Sequence, residues 1–288
     1  MMKLFIKNFF YEIVIFLLKF KIFKKISKLF VNAYLINKGY CFDWSFLIKK
    51  SSNNLFKGEN IFISKFDNLK IKNCIDIGSN IGEFSKEILK NQHTNVIAFE
   101  PLTMCHENLD ELNQTYHSRF IYFKYALSNK DGFDYINFGD KNYSGLASLE
   151  KKIHNINYVN MINKNTAKIE LKKLDNFTDD PYFKSIDFIK IDTEGHELKV
   201  LEGGLNFIKK NNIKLIQLEF NRHHLYTNNT IYQFSEVLEN YVITQMNLIN
   251  GNLIKVDKNH YFSNLFQLSN FIFVEKNFFL KNKEDLLK

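Results

Sequence analysis

Four carboxylates in this sequence stand at or just beyond the ends of short apolar runs. They are Asp76, Glu100, Asp192 and Glu219. Short apolar runs bounded by turn residues are typical of strands buried in a sheet. In open α/β sheets, ligands bind in the crevice outside the carboxyl ends of the strands. The positions of these acids therefore predict a polar site where a ligand binds and where a proton can be transferred.

A glycine-containing turn, GSNIG at residues 78–82, follows the first of these runs. Gly78 permits a sharp reversal, Gly82 lets the next helix begin close to a ligand, and Asn80 is a residue type that tolerates positive φ. Glu100 comes 22 residues after Gly78, near the spacing of a carboxylate that binds ribose hydroxyls. The layout predicts either NAD(P) or S-adenosylmethionine (SAM). Asn80 in place of a middle glycine favours SAM, because SAM has no pyrophosphate to accommodate.

Several motifs, in order along the chain, resemble those of the FkbM-type SAM-dependent methyltransferases. They are DIGSNIG at 76–82, FEP at 99–101, ALSNKDG at 126–132, GLASL at 145–149 and IDFIKIDTEGHE at 186–197. The resemblance spans roughly residues 70–276, and several motifs in order are more specific than any one alone. It implies a Rossmann-like class I methyltransferase fold, which is an α/β fold with a mostly parallel sheet and helices on both faces. It also implies SAM as the cofactor and a hydroxyl of a sugar, glycan precursor or small secondary metabolite as the acceptor.

The predicted cofactor contacts follow from the first motifs. They are Asp76, Gly78, Ser79, Asn80, Gly82, Glu100 and Ser128. We expect Glu100 to bind the ribose, and Asp76 to orient the turn or reach the amino group of the cofactor. Ser128 lies in the stretch where relatives of the family place adenine contacts.

The predicted catalytic residues lie at the next two strand ends. They are Asp192, Glu194, His196 and Glu219. Methyl transfer to a hydroxyl requires positioning of the reactants and removal of a proton, and these side chains are candidate bases. Residues 193–197 have an alternative role in capping the next helix. We predict no metal site, because His223 and His224 lack further ligands at metal-binding spacing.

Lys190 lies inside an otherwise apolar strand pattern. A lysine buried between two helical layers is costly unless a carboxylate pairs with it. Glu219 and Asp76 are the candidate partners, and the alternative is a lysine at a sheet edge.

Alternating strand and helix patterns predict one catalytic domain at residues 66–288, preceded by an N-terminal helical extension at 1–65. The predicted strands of the main sheet are 73–77, 95–99, 120–125, 186–191, 214–220, 241–246, 252–256 and 271–275. We also predict a short strand at 60–64, a helix through 198–208, and a helix at 234–239. Residues 133–175 are predicted to be irregular or to form a β-hairpin that includes 133–138 and 167–171. We expect residues 31–70 to cover the cofactor side.

The net charge of +8 is concentrated in the N-terminal tail, because residues 1–28 contain seven lysines and one glutamate. Residues 21–30 have an amphipathic helical pattern that fits either an anionic membrane surface or packing on this domain or on a second subunit. The apolar run at 9–18 is too short to span a membrane, and no signal-peptide cleavage site follows it. Three cysteines without metal spacing favour a reducing compartment. We therefore predict a cytoplasmic protein with peripheral contact at the inner membrane face, no nucleic-acid partner, and a homo-oligomer as an open alternative.

Two other functional classes remain open from the sequence. One is an NAD(P)-dependent oxidoreductase with a Rossmann-type domain. The other is a non-catalytic protein that keeps the fold and binds a membrane or a partner.

Overall fold

The computed structural model describes residues 57–287 together with Leu17. The predicted amphipathic helix at 21–30 and most of the predicted extension lie outside the described residues. Among the described residues, no helix is long and apolar enough to cross a membrane.

Eleven strands occur in this part of the chain. They are β1 (Asn73–Ile77), β2 (Asn95–Phe99), β3 (Phe120–Phe123), β4 (Ala126–Leu127), β5 (Gly132–Phe138), β6 (Asn165–Lys172), β7 (Phe188–Ile191), β8 (Leu215–Phe220), β9 (Tyr241–Met246), β10 (Leu253–Lys255) and β11 (Ser269–Glu275). Eight of them form one sheet in the order β10-β9-β11-β8-β7-β1-β2-β3. The five strands from β8 to β3 in this order are parallel, and β11, β9 and β10 pair in the antiparallel sense. The eight predicted strands of the main sheet are thus confirmed, with ends that differ by at most two residues.

The described α-helices cover both faces of this sheet. They are α1 (Gly58–Ser64), α2 (Glu83–Leu89), α3 (Thr103–Tyr116), α4 (Asn157–Ile162), α5 (Glu197–Glu202), α6 (Leu205–Asn211), α7 (His223–Thr227), α8 (Ile231–Val237) and α9 (Lys276–Leu287). Residues of α1, α2, α3 and α9 pack in one apolar core, and residues of α5, α6 and α8 pack in the core on the opposite face. The remaining strands form a small sheet, β4-β6-β5, and the predicted hairpin pairing of β5 with β6 is confirmed.

The strand register places polar residues in a row across the sheet. Asp76 on β1 is opposite Lys190 on β7, and Lys190 is opposite Gln217 on β8. Residues opposite one another in adjacent strands project from the same face of the sheet. Glu219, two residues beyond Gln217, faces the same side. The sheet therefore collects charged and amide side chains on one face near its carboxyl edge.

The predicted strand at residues 60–64 is wrong, because these residues belong to α1. Phe62 and Ile63 are buried in the same core as Phe66 and Leu69, which a helical turn brings to one side. A short apolar run does not by itself distinguish a strand from a buried helix.

The predicted helix through 198–208 is divided into α5 and α6 at Gly203 and Gly204. A Cβ at Gly203 would lie 2.0 Å from the carbonyl oxygen of Ser128, and a Cβ at Gly204 would lie 2.9 Å from the Leu174 side chain. The break lets the chain pass close to these neighbours. The predicted helix at 234–239 is α8, which begins earlier because Thr230 and Gln233 form a capping box.

Candidate active site

The turn after β1 adopts the backbone conformation that its residue types favour. Gly78, Asn80 and Gly82 have φ angles of 80°, 50° and 81°. A Cβ at Gly78 would lie 2.0 Å from the carbonyl oxygen of Asp192, so only glycine lets β1 and β7 approach this closely. The turn is fixed to β2, because the N–H groups of Gly78 and Ser79 both donate to the carbonyl of Phe99, at 3.0 and 3.1 Å.

Glu100 connects the two loops that border the predicted ribose site. Its carboxylate accepts hydrogen bonds from the backbone N–H of Asn80 at 2.9 Å and of Leu102 at 2.8 Å. Burial raises the pKa of Glu100 to about 7, although these two hydrogen bonds oppose the shift. Each carboxylate oxygen has more than one lone pair, so Glu100 can still accept hydrogen bonds from a ribose diol.

Two clefts lie on either side of this turn. The first has about 670 Å³ of free space, part of it open to solvent, and an apolar wall formed by Phe99, Leu127 and Ile136, with Glu100 at its edge. The second has about 960 Å³ of free space, also partly open to solvent, and is lined by polar residues of α1, α2 and β7. An apolar cleft beside a carboxylate suits an adenosine group, and a polar cleft suits the amino-acid part of SAM.

Buried acceptor atoms beside the turn support this fit. Asp76 is fully buried, and one of its oxygens accepts a hydrogen bond from Ser85 at 2.7 Å. Its other oxygen, Oδ1, has no hydrogen-bond partner among the described residues, and neither has the hydroxyl of Ser79. Buried polar atoms are usually satisfied in proteins, so these two indicate a place for a polar ligand group.

Three of the four predicted catalytic residues come together at the carboxyl edge of the sheet. Carboxylate oxygens of Asp192, Glu194 and Glu219 lie within 4.8 Å of one another. Burial raises the pKa of Glu194 and of Glu219 well above the usual value, and the negative charge of Asp192 raises both further. Carboxylates with pKa values raised by burial and by a neighbouring negative charge are typical of groups that transfer protons in active sites.

Asn221 and His223 hold two of these acids in place. The amide of Asn221 donates to Glu194 at 3.0 Å and to Glu219 at 2.9 Å. His223 Nδ1 lies 2.5 Å from Glu194, and its Nε2 lies 3.1 Å from the hydroxyl of Tyr158. Burial lowers the pKa of His223 to about 4, so its ring is neutral at pH 7. These contacts fix the orientation of Glu194 and Glu219 toward each other.

Glu197 holds the backbone turn that presents these acids. Its carboxylate accepts from the N–H of Thr193 at 2.8 Å and of Gly195 at 3.0 Å, and it lies 2.9 Å from His224 Nε2. Burial opposes ionisation of Glu197, but the His224 charge and these hydrogen bonds lower its pKa to about 2. Within this turn Glu194 has a positive φ of 53°, a conformation that costs a non-glycine residue energy and often occurs at functional sites.

His196 lines the first cleft but has partners at both ring nitrogens. Its Nε2 lies 2.9 Å from the hydroxyl of Ser128, and its Nδ1 lies 2.7 Å from the carboxylate of Glu150. Ser128 is fully buried behind the cleft wall. The predicted roles of His196 as a base and of Ser128 as an adenine contact stay predictions. In the structure, His196 and Ser128 belong to one buried hydrogen-bond network with Glu150. This network is separate from the hydrogen bonds of Asp192, Glu194 and Glu219.

Several residues at this site carry little or no signal in the local sequence. Gln217 resembles Lys190 in being polar within an apolar strand, and that pattern could have signalled it. Glu59 lies in a segment without a recognisable motif, and Glu150 is 46 residues from its partner His196. No local pattern connects residues so far apart in sequence.

Comparison with known proteins agrees with this geometry. The family model described as "Methyltransferase FkbM domain" matches residues 76–246. Among curated proteins, no sequence matches this chain significantly. Solved structures that are similar include the methyltransferase domain of bacterial CtHen1, with 12% identity, a TM-score of 0.42, and coverage of 77% of this chain and 100% of that one.

Two further similar structures are methyltransferases as well. Precorrin-6y C5,15-methyltransferase from Geobacter metallireducens has 10% identity, a TM-score of 0.36, and coverage of 75% of this chain and 87% of that one. A TehB-like SAM-dependent methyltransferase from Corynebacterium glutamicum has 11% identity, a TM-score of 0.41, and coverage of 81% and 94%.

The α/β fold, with its mostly parallel sheet, and the turn after β1 are those of a class I SAM-dependent methyltransferase. Because the family model covers more than half of the chain, the protein belongs to the FkbM methyltransferase domain family. Its cofactor is therefore SAM. This agrees with the turn at 78–82, in which the lack of a middle glycine favours SAM over NAD(P).

Proposed function

We propose that this protein methylates a hydroxyl group of a sugar, a glycan precursor or a small metabolite. The observation that carries the proposal is the convergence of Asp192, Glu194 and Glu219 within 4.8 Å, beside the cofactor turn. A hydroxyl that gains a methyl group must lose its proton, whereas a thiolate or a free amine needs less help. Carboxylates with raised pKa values are suited to accept that proton.

The residues around the turn would hold the cofactor, and SAM when bound supplies an electrophilic methyl group on a sulfonium. Glu100 would bind the ribose diol, and the apolar wall of the first cleft would pack against the adenine. The acceptor would then lie at the ends of β7 and β8.

Of the three acids Asp192, Glu194 and Glu219, we assign the role of proton acceptor to Glu219. Asp192 forms an ion pair with Lys190, with Lys190 Nζ 2.7 Å from its Oδ2, so its charge is already compensated. Glu194 has two contacts, with Asn221 and with His223, both through Oε2. Glu219 contacts Asn221 through one oxygen, Oε1. We propose that Glu219 takes the proton and that Asp192 and Glu194 position the hydroxyl through hydrogen bonds.

A direct test uses labelled SAM with a panel of nucleotide sugars, lipid-linked sugars and phenolic metabolites. The product linkage is then determined by NMR. An O-methyl product supports the proposal, and methylation of nitrogen in an amine-containing acceptor would contradict it.

We also propose that the protein works in the cytoplasm, with its basic tail on the inner face of the membrane. Residues 1–28 contain seven lysines and one glutamate, a charge that suits anionic lipids. Co-sedimentation with anionic liposomes should fall steeply as salt rises, and deletion of residues 1–30 should abolish it while SAM still binds. Loss of a dimer on the same deletion would instead support packing against a second subunit.

A further inference from the structure

The polar cleft between α1 and α2 contains a group of charges, of which the proposed reaction uses only Asp192. Lys190 Nζ is surrounded by carboxylates of Glu59, Asp76 and Asp192, whose charges together outweigh the cost of its burial and raise its pKa. Glu59 projects from α1 and accepts a hydrogen bond from the amide of Gln217 at 2.5 Å. Three acids surround one lysine, and burial raises the pKa of Glu59 and of Asp76, so a cationic ligand group here would stabilise their ionised forms.

The unsatisfied atoms of this group are acceptors. Asp76 and Gln217 are fully buried, and Asp76 Oδ1 and Gln217 Oε1 have no hydrogen-bond partner among the described residues. The buried hydroxyl of Ser79, which also lacks a partner there, lines the same cleft. Acceptor atoms without donors, in an acidic setting, favour a ligand group that carries several N–H donors and a positive charge.

The same cleft is continuous with the predicted cofactor site. Gly78, Asn80 and Asp192 line both clefts, so a ligand that crosses the turn from the adenosine side reaches Glu59 and Ser79. The amino-acid part of SAM carries an ammonium group at the end opposite to its adenine.

We propose that Glu59 of α1, together with Ser79, binds the α-ammonium group of SAM, with Asp76 and Gln217 supporting that site from the sheet below. The inference rests on the proposed function, since it takes SAM as the occupant. Glu59 lies upstream of the segment that matches the family, residues 76–246. A helix outside that segment therefore completes the cofactor site, and α1 is part of the catalytic unit.

The test compares two ligands by isothermal titration calorimetry. One is S-adenosylhomocysteine, and the other is its deaminated analogue, which keeps the adenosine, the thioether and the carboxylate. Glu59→Gln should weaken binding of S-adenosylhomocysteine about tenfold or more, the effect of losing a hydrogen bond to a charged group. It should change binding of the deaminated analogue less than about twofold. Glu111→Gln, which removes an exposed acid of α3 outside both clefts, is the matched control and should leave both affinities unchanged.

Retained binding of the deaminated analogue also shows that the variant is folded. Ser79→Ala provides an independent variant and should show the same selectivity with a smaller loss. The inference is overturned if Glu59→Gln weakens both ligands equally or leaves S-adenosylhomocysteine binding unchanged. If the wild-type protein binds neither ligand, the methyltransferase proposal itself fails, which is a different result.

Discussion

Lys190 and Asp192, two residues apart at the end of β7, form a partly buried ion pair with Lys190 Nζ 2.7 Å from Asp192 Oδ2. Lys190 is opposite Asp76 on one neighbouring strand and Gln217 on the other, and its Nζ lies 4.8 Å from the centre of the Phe84 ring. The pair therefore sits where the cofactor turn meets the acidic group. The ion-pair partner of Lys190 is thus Asp192, at the end of the same strand, and not Glu219 or Asp76, the candidate partners expected from the sequence.

Asp192→Asn should destabilise the protein, because it removes a charged partner from a buried ammonium. We expect the free energy of unfolding to fall by about 1–3 kcal/mol, since Asp76 and Glu59 still compensate part of the charge. Urea denaturation measures this. The matched control is Asp134→Asn, which removes an exposed ion pair with Lys130 and should cost less than about 1 kcal/mol. Equal effects of the two substitutions would show that the Lys190 pair has no special role in stability.

Glu219→Gln should lower turnover at saturating SAM by about 10²–10⁴-fold, the usual effect of losing a general base. The base acts when ionised, and burial raises the pKa of Glu219, so the wild-type rate should rise with pH up to that raised pKa. The variant should lose this acidic limb of the pH–rate profile. His196→Gln is the comparison, because both nitrogens of His196 have other partners. If Glu219→Gln turns over normally while His196→Gln loses activity, the general base is His196 and not Glu219.

Glu197→Gln should destabilise the protein most at neutral pH. The pKa of Glu197 is lowered to about 2 in the folded protein, so its ionised form stabilises the fold above the ordinary carboxylate pKa, and that contribution is lost as pH falls toward 2. Removing one partner of the buried pair with His224 should cost about 3 kcal/mol near pH 7. The difference between wild type and variant should shrink in acid. A difference independent of pH would contradict this assignment.

Chelation should leave methyl transfer unchanged. The three carboxylates at this site, those of Asp192, Glu194 and Glu219, are close enough to hold a cation. However, Asp192 already forms an ion pair with Lys190, and Glu194 already contacts His223 and Asn221. Turnover is measured before and after treatment with EDTA and dialysis. Loss of activity that Mg²⁺ restores would instead identify the three acids as a metal site.

The sequence predicted correctly those parts of the fold that depend on neighbouring residues in the chain. The turn at 78–82 and the central strands follow from glycine conformation and apolar runs, and both agree with the structure. The strand predicted at 60–64 failed because the burial of Phe62 depends on distant packing, which periodicity over five residues does not reveal. The network of His196 with Glu150 and the contact of Gln217 with Glu59 join residues 46 and 158 positions apart, so only the folded chain brings them together.

The most direct measurement is calorimetric titration of the purified protein with SAM, S-adenosylhomocysteine and NADH. We predict one binding site for SAM and for S-adenosylhomocysteine, and no binding of NADH. We also predict that Glu100→Ala weakens SAM binding by about 1.5–3 kcal/mol, because the ribose loses its hydrogen bonds to a carboxylate. Tight binding of NADH, with no binding of SAM or S-adenosylhomocysteine, would contradict the account.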